Sequence, residues 1–240
     1  MHAAIPNDRS EGNHVLTLAI DTSGASCAAG LFDGAREIAR HVLDLGRGHA
    51  DAVVDVCEAA LASAGSRWSD IGEIVVTVGP GSFTGIRAGV AAARGFGLSL
   101  DVPVTGVSTL QAIAIQQGGS KSLLVALDAR RGQVYAQGFD ADGAPLDEPV
   151  VATPGAVAES MDPNVAELVG SGAAPVLDAL RTIGRNATLL ADIAQPDIAA
   201  VAACARAVGA ALPPEPLYLR AADAKPAAPL LASPRIGESA

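Results

Sequence analysis

Cysteine is nearly missing from this 240-residue chain: Cys27, Cys57 and Cys204 stand far apart, with no C-x-x-C pair. An odd, scattered set excludes a disulfide framework and a cysteine zinc site, and implies reduced, buried thiols in a cytosolic protein. Aromatic residues make up only 3%, so the cores must be built from Ala, Val, Leu and Ile. Basic residues are outnumbered, 16 against 26 acidic, for a net charge of −10. Such a surface repels phosphate backbones, because nucleic-acid affinity comes largely from Lys and Arg. If the chain works on RNA, a partner does the gripping. No apolar run reaches the roughly 18–20 residues of a membrane helix, and Met1–His14 has no apolar segment of signal-peptide type. A soluble cytoplasmic protein with no membrane contact is expected. The four histidines show no metal-ligand spacing: residue 53, one turn after His49, is Val.

What is present is apolar material, 50% of the chain, enough for one large or two small α/β cores. The ends are expected to be disordered. Residues 1–13 are a polar arm, and residues 221–240 form an Ala/Pro-rich tail in which Pro226, Pro229 and Pro234 block helix and ladder alike. Between them, Val15–Asp21, Ser26–Phe32 and Ala35–Leu43 read as an antiparallel meander, with Asp33-Gly34 as a two-residue hairpin turn. The period then becomes helical over His49–Ala64, closed by Gly65. Glu73–Val78 is a strand, Thr84–Leu100 a helix and Val102–Val107 a strand. Ser108 caps a third helix.

The second half repeats the scheme. Ser122–Asp128 is an apolar strand ending in Asp, as Val15–Asp21 does, and Gln133–Phe139 pairs back after Ala129-Arg130-Arg131-Gly132. Asp142-Gly143 echoes Asp33-Gly34, and Val169-Gly170-Ser171-Gly172 echoes Val78-Gly79-Pro80-Gly81. Three signatures recurring in order indicate a tandem duplication. A last helix is expected over Asp197–Leu212, stopped by Pro213-Pro214. The predicted plan is a first domain of residues 14–107 plus 197–220, and a smaller second domain of residues 108–196. A meander followed by helix–strand–helix, occurring twice, resembles the actin-like (ASKHA, ribonuclease H-like) α/β fold. There, two domains with mixed sheets face each other across a nucleotide cleft.

The loop Gly79-Pro80-Gly81-Ser82-Phe83-Thr84-Gly85 lies between a strand and a helix. Its backbone N–H groups offer an anion cradle, although such a turn serves equally well as a packing device. It is no P-loop, since Gly-Lys-Ser/Thr is missing. A Rossmann site wants an acid after the next strand, and Asp101 stands before it. Asp21-Thr22-Ser23 closes the first strand, either as a metal and phosphate corner or as a local Asx turn. Ser82 lacks the setting of a nucleophile elbow. Arg87 and Arg130 either reach a phosphate or pair with surface carboxylates. The candidate nucleotide-binding set, weak or vestigial, is Asp21, Thr22, Ser23, Gly79, Gly81, Ser82, Thr84, Arg87, Asp128 and Arg130. If these residues form an enzyme, it is a stand-alone ATPase or small-molecule kinase of the actin-like class.

L-A-I-D-T-S, G-P-G-S-F-T-G-I-R-A-G, G-V-S-T-L-Q-A, D-A-R-R-G-Q-V-Y and the closing Y-L-R resemble, in order, the TsaB (YeaZ) family. The resemblance spans most of Val15 to Arg220 and is generic from Glu148 to Gln195. It implies a paralogue of TsaD, the subunit that transfers threonylcarbamoyl to the adenosine beside the anticodon of tRNAs reading codons that begin with A. The implied partners are TsaD, the ATPase TsaE and a second copy of the chain, with tRNA reached only through the complex. TsaD-type proteins carry a metal-binding His pair in a segment like G-V-N-H-L-E-G-H. Here the two positions hold Thr109 and Ile113, which implies a non-catalytic subunit, and no peptidase, with no metal of its own. No cofactor is required on this reading, and whether ATP or ADP with magnesium binds at the complex interface is left open. Val53, Val54, Cys57, Leu61, Ile86 and Val90 are expected to form the apolar partner face.

Overall fold

β-branched and apolar residues dominate the first strands, and their alternation decides which side faces which layer. The computed structural model describes residues 15–46, 48–119, 121–207 and 210–220; the two ends expected to be disordered lie outside them. β1 (Leu16–Asp21), β2 (Ser26–Asp33) and β3 (Arg36–Asp44) form the antiparallel meander. Helix α1 (His49–Ala64) then crosses to β4 (Ile71–Gly79), which lies parallel to β1. Helix α2 (Phe83–Leu100) leads to β5 (Val104–Ser108), giving the sheet order β3-β2-β1-β4-β5.

Leu18 and Ile20 face α1 and α2 on one side, while Ala19 and Val75 face the other. Both faces of the central strands are therefore buried, which is why they read as continuous apolar runs.

The second half uses the same plan. β6 (Leu123–Asp128), β7 (Val134–Phe139) and β8 (Val150–Ala152) form a meander, followed by α4 (Pro154–Ser160), β9 (Glu167–Val169), α5 (Ala173–Thr182) and β10 (Thr188–Ala191). The order is β10-β9-β6-β7-β8, the first sheet's order repeated from the other end. The duplication legible in the sequence is thus present strand for strand.

Helix α3 (Thr109–Gln117) stands between the two sheets. Ala112 belongs to the core beneath the first sheet, and Leu110 and Ile113 to that of the second. It is capped by Ser108, whose hydroxyl accepts the Gln111 N–H. Helix α6 (Ile198–Cys204) returns to pack on α3, β1 and β2. No helix among the described residues is long and apolar enough to cross a membrane.

Two expectations are corrected. The hairpin turn after β2 is Gly34-Ala35, because Asp33 pairs with Arg36, and Gly34 alone takes a positive φ, 57°. The last helix ends at Cys204 rather than Leu212. Leu212 is extended, exchanging two backbone hydrogen bonds with Gly106 (2.8 and 2.9 Å), a pairing that a helix forbids.

The expected partner face is also corrected. Val53, Cys57, Leu61, Ile86 and Val90 all lie in the core between α1, α2 and the first sheet. An amphipathic helix on a sheet spends its apolar stripe on that sheet, and here the stripe includes these five. Val54 alone of the six is exposed.

Candidate functional site

Two Asp-ended strands and two glycine turns converge where the domains meet. β1 delivers Asp21-Thr22-Ser23 and the β4–α2 loop delivers Gly79–Ser82. β6 delivers Asp128 with the turn 129–132, and the β9–α5 turn delivers Ser171. Between them lies a cleft of about 690 Å³, lined on one side by Ser23, Gly81 and Ser82 and on the other by Asp128, Arg130 and Arg220.

The two Asp residues make the same local turn. Asp21 Oδ1 accepts the Ser23 N–H at 3.0 Å, and Asp128 Oδ1 accepts the Arg130 N–H at 2.8 Å. The Asx-turn alternative given for Asp21 is therefore present, and Asp128 makes the same turn. Their surroundings have diverged. Asp128 is exposed and its other oxygen lies 3.4 Å from the Arg130 guanidinium. Asp21 is 0% exposed. It accepts the Thr77 hydroxyl at 2.6 Å and the Gln195 side-chain amide at 2.9 Å. Burial pushes the Asp21 carboxyl above its ordinary range, while hydrogen bonds from Thr77, Ser23 and Gln195 pull the other way. The Ser23 hydroxyl lies close enough to add to that pull, yet has no partner at hydrogen-bonding geometry among the described residues.

The glycine loop is tightly docked on the end of β1. Ser82 N–H donates to the Ser23 carbonyl at 2.7 Å, and the Thr22 hydroxyl donates to the Gly85 carbonyl at 2.8 Å. The N-cap Ser82 accepts the Gly85 N–H through its side chain. A Cβ at Gly81 or Gly85 would lie closer than 3.0 Å to the carbonyl oxygen of Ser23 or Thr22. Gly79, at φ 113°, needs the left-handed region and forms a cis peptide with Pro80. These glycines bring α2 against β1, backbone to backbone, and the space beside Asp21 is filled.

Of the candidate residues, Ser23, Gly81, Ser82, Asp128 and Arg130 line the cleft, while Asp21 and Thr22 are buried beneath it. Thr84 is exposed on the first turn of α2. Arg87 pairs with no carboxylate among the described residues. Its guanidinium lies 3.8 Å from the Phe83 ring centroid and its Nε donates to the Tyr218 hydroxyl at 2.7 Å. The turn of the second domain is unusual: Arg130, Arg131 and Gly132 have φ of 62°, 56° and 71° in succession. Two consecutive non-glycine residues there are held by the Asp128 turn and by Ala129 N–H on the Gln133 carbonyl. His49 starts α1 buried, with Nε2 unpartnered among the described residues.

Sequence reasoning missed Gln195, Thr77, Phe83 and Arg220. Arg220 donates to the Ala129 carbonyl and to Gln133 Oε1 (3.2 and 2.6 Å), tying the last described residue to the second domain. No spacing flags such residues; a lone Gln before Pro196-Asp197 looks like any loop.

A magnesium–phosphate group does not fit this corner. Asp21 already receives three donors, and the Ser82 N–H is spent on Ser23. Among the described residues, no group of three His, Cys, Asp or Glu side chains is placed to hold a metal.

Comparison with known proteins shows what the chain is similar to. The family model for TsaD, tRNA N6-adenosine threonylcarbamoyltransferase, matches residues 44–200. An uncharacterized Mycobacterium tuberculosis protein is 36% identical over 220 residues, covering 88% of this chain and 94% of its own length. The Escherichia coli tRNA threonylcarbamoyladenosine biosynthesis protein TsaB is 34% identical over 128 residues, covering 52% and 55%. In solved structures, a Pseudomonas aeruginosa protein described as similar to peptidase YeaZ superposes with a TM-score of 0.72 at 26% identity, covering 86% of this chain and all of that one. YeaZ from the same organism gives 0.68 at 25%, covering 85% and all of its length. The duplicated actin-like fold is common ground.

Proposed function

The chain belongs to the TsaB (YeaZ) family, and from that premise we propose that it acts in tRNA threonylcarbamoyladenosine biosynthesis as a non-catalytic partner of a TsaD-type transferase and a TsaE-type ATPase. One observation carries the reading. Thr109 and Ile113, which the family resemblance puts at the positions of the transferase paralogue's metal-binding His pair, are fully buried, Ile113 in the core shared with the second sheet. A position committed to packing has no room for a metal. The sealed Asp21 supports the same division of labour, and the chain requires no cofactor of its own. It works in the cytoplasm, and a net charge of −10 leaves tRNA binding to the partners.

The partner face is the outer surface of α1 and α2, opposite the stripe that covers the sheet. α1 presents Asp51, Val54, Asp55 and Glu58, while α2 presents Arg87, Ala91, Arg94 and Leu98, all exposed. Leu98 is 87% exposed, the highest value among the large apolar residues described. Apolar centres between an acidic and a basic helix suit a partner of complementary pattern, whether the transferase or a second copy.

The test is reconstitution: TsaD-type and TsaE-type proteins with tRNA, ATP and the threonylcarbamoyl donor system, with and without this chain. Modified adenosine should form only when the chain is present, and the chain alone should not turn over ATP. Modification at an unchanged rate without the chain overturns the proposal.

A further inference from the structure

Asp21 is a buried carboxylate whose partners come from both sides of the domain boundary. Thr77 lies on β4 of the first sheet and Ser23 in the turn between its β1 and β2. The third donor, Gln195, is 174 residues away in sequence, in the crossover that leaves the second sheet for α6. The other end of its carboxamide is also engaged: Oε1 accepts the Ser26 N–H at 2.9 Å. A backbone N–H can only donate, so Oε1 must face β2 and Nε2 must face Asp21; the carboxamide cannot be flipped. Gly24 makes the space, since a Cβ there would collide with Gln195. The crossover is held at both ends. Ser171 N–H bonds the Ile193 carbonyl (2.9 Å) on the second domain, while Asp197 donates its N–H to the Gln116 side chain of α3 (2.7 Å) and pairs with Arg40 of β3 on the first (2.6 Å).

We propose that Gln195 is an interdomain latch, seated on Asp21 and Ser26, that sets the angle between the two domains in place of a bound metal–phosphate ligand. Opening it strands a buried carboxylate oxygen and a part-buried N–H together, which opposes hinge motion at this crossover. The cleft geometry is then a fixed property of the chain, indifferent to nucleotide. The latch is a property of the isolated subunit and does not depend on which partner the chain serves.

The test uses the full chain with spin labels at Ser63→Cys on α1 and Glu159→Cys on α4, both exposed positions. The three native thiols are buried and leave the labelling selective. Pulsed electron–electron distance measurements should give one narrow distribution that millimolar ATP with magnesium does not move. Gln195→Ala should broaden it and raise the exchange rate of the Ser26 amide by about twofold to tenfold, the range for losing a hydrogen bond to a neutral carboxamide oxygen. Amides of β4 should stay protected, showing that the fold persists. Gln195→Glu, equal in size but without a donor when ionised, should behave like the alanine variant. A wild-type distribution that shifts with ATP and magnesium overturns the proposal without any variant. So does Gln195→Ala with wild-type distances and Ser26 protection.

Discussion

Alanine at Gly85 should destabilise the protein, and alanine at Gly95, ten residues along the same helix, should stabilise it. In a helix interior Ala is favoured over Gly by about 0.8–1 kcal/mol. At Gly95 nothing lies within 4 Å of an added Cβ, so most of that gain should appear, about 0.5–1 kcal/mol. At Gly85 the new Cβ would fall closer than 3.0 Å to the Thr22 carbonyl oxygen. That atom belongs to the backbone leading into the Asp21 turn and cannot swing aside. Overpacking of this kind costs about 1–3 kcal/mol, and lifting α2 stretches the Thr22 hydroxyl bond to the Gly85 carbonyl, worth about 1 kcal/mol more. After the propensity gain, the net loss is about 1–3 kcal/mol. Urea unfolding followed by Trp68 fluorescence is a direct readout, because this single Trp packs 4.6 Å from Phe96 of α2. The midpoints should move in opposite directions at unchanged slope. A Gly85→Ala protein as stable as wild type would refute the packing account of the glycine loop.

Other outcomes follow from the same geometry. Burial raises the Asp21 carboxyl above its ordinary 3.8, so the folded state holds the proton more tightly than the unfolded chain. Wild type should therefore lose stability relative to Asp21→Asn as pH rises from about 4 towards 7; a relative gain in urea midpoints over that range would contradict the assignment. Val90→Asp places a charge in the first core and should cost at least about 3 kcal/mol, whereas Val54→Asp and Leu98→Asp should leave the melting temperature nearly unchanged and weaken co-elution with the transferase. Asp197 caps α6 through the Ala199 N–H and pairs with Arg40; replacing it by Ala should cost about 1–2 kcal/mol in thermal unfolding, most of it from the cap, as the ion pair is partly exposed. Burial pushes the Cys27 thiol up to about 11 and the Cys204 thiol up to about 12, so a thiol-reactive disulfide reagent at pH 8 should label these only as the protein unfolds.

Strand content, the meander and the duplication were legible because each depends on local pattern: alternating or continuous apolar runs, turn residues and the eleven-residue step from Asp to Phe in each half. The Asx turn at Asp21 was legible as one of two alternatives, since Asp bonds its own chain two residues on; the matching turn at Asp128 is a finding of the structure. Which side of α1 and α2 faces solvent was not. A helical period gives the stripe but not what covers it, and Val53, Ile86 and Val90 turned out to serve their own sheet. Asp21 and Asp128 look alike as sequence. Only the placement of Gln195, 174 residues from its partner, makes one a sealed acceptor and leaves the other at the cleft. The end of the last helix failed because Leu212 pairs with Gly106, a long-range bond that no propensity encodes.

Helix α3 contributes to the cores of both sheets, with Ala112 on one side and Leu110 and Ile113 on the other. Neither half of the duplication is thus a self-sufficient folding unit. Cutting the chain between β5 and β6 would expose α3's far side in one fragment and leave the second sheet bare in the other. Despite its bilobal shape, the molecule should melt in one cooperative transition, and its two ancestral repeats, expressed apart, should not fold until they are mixed.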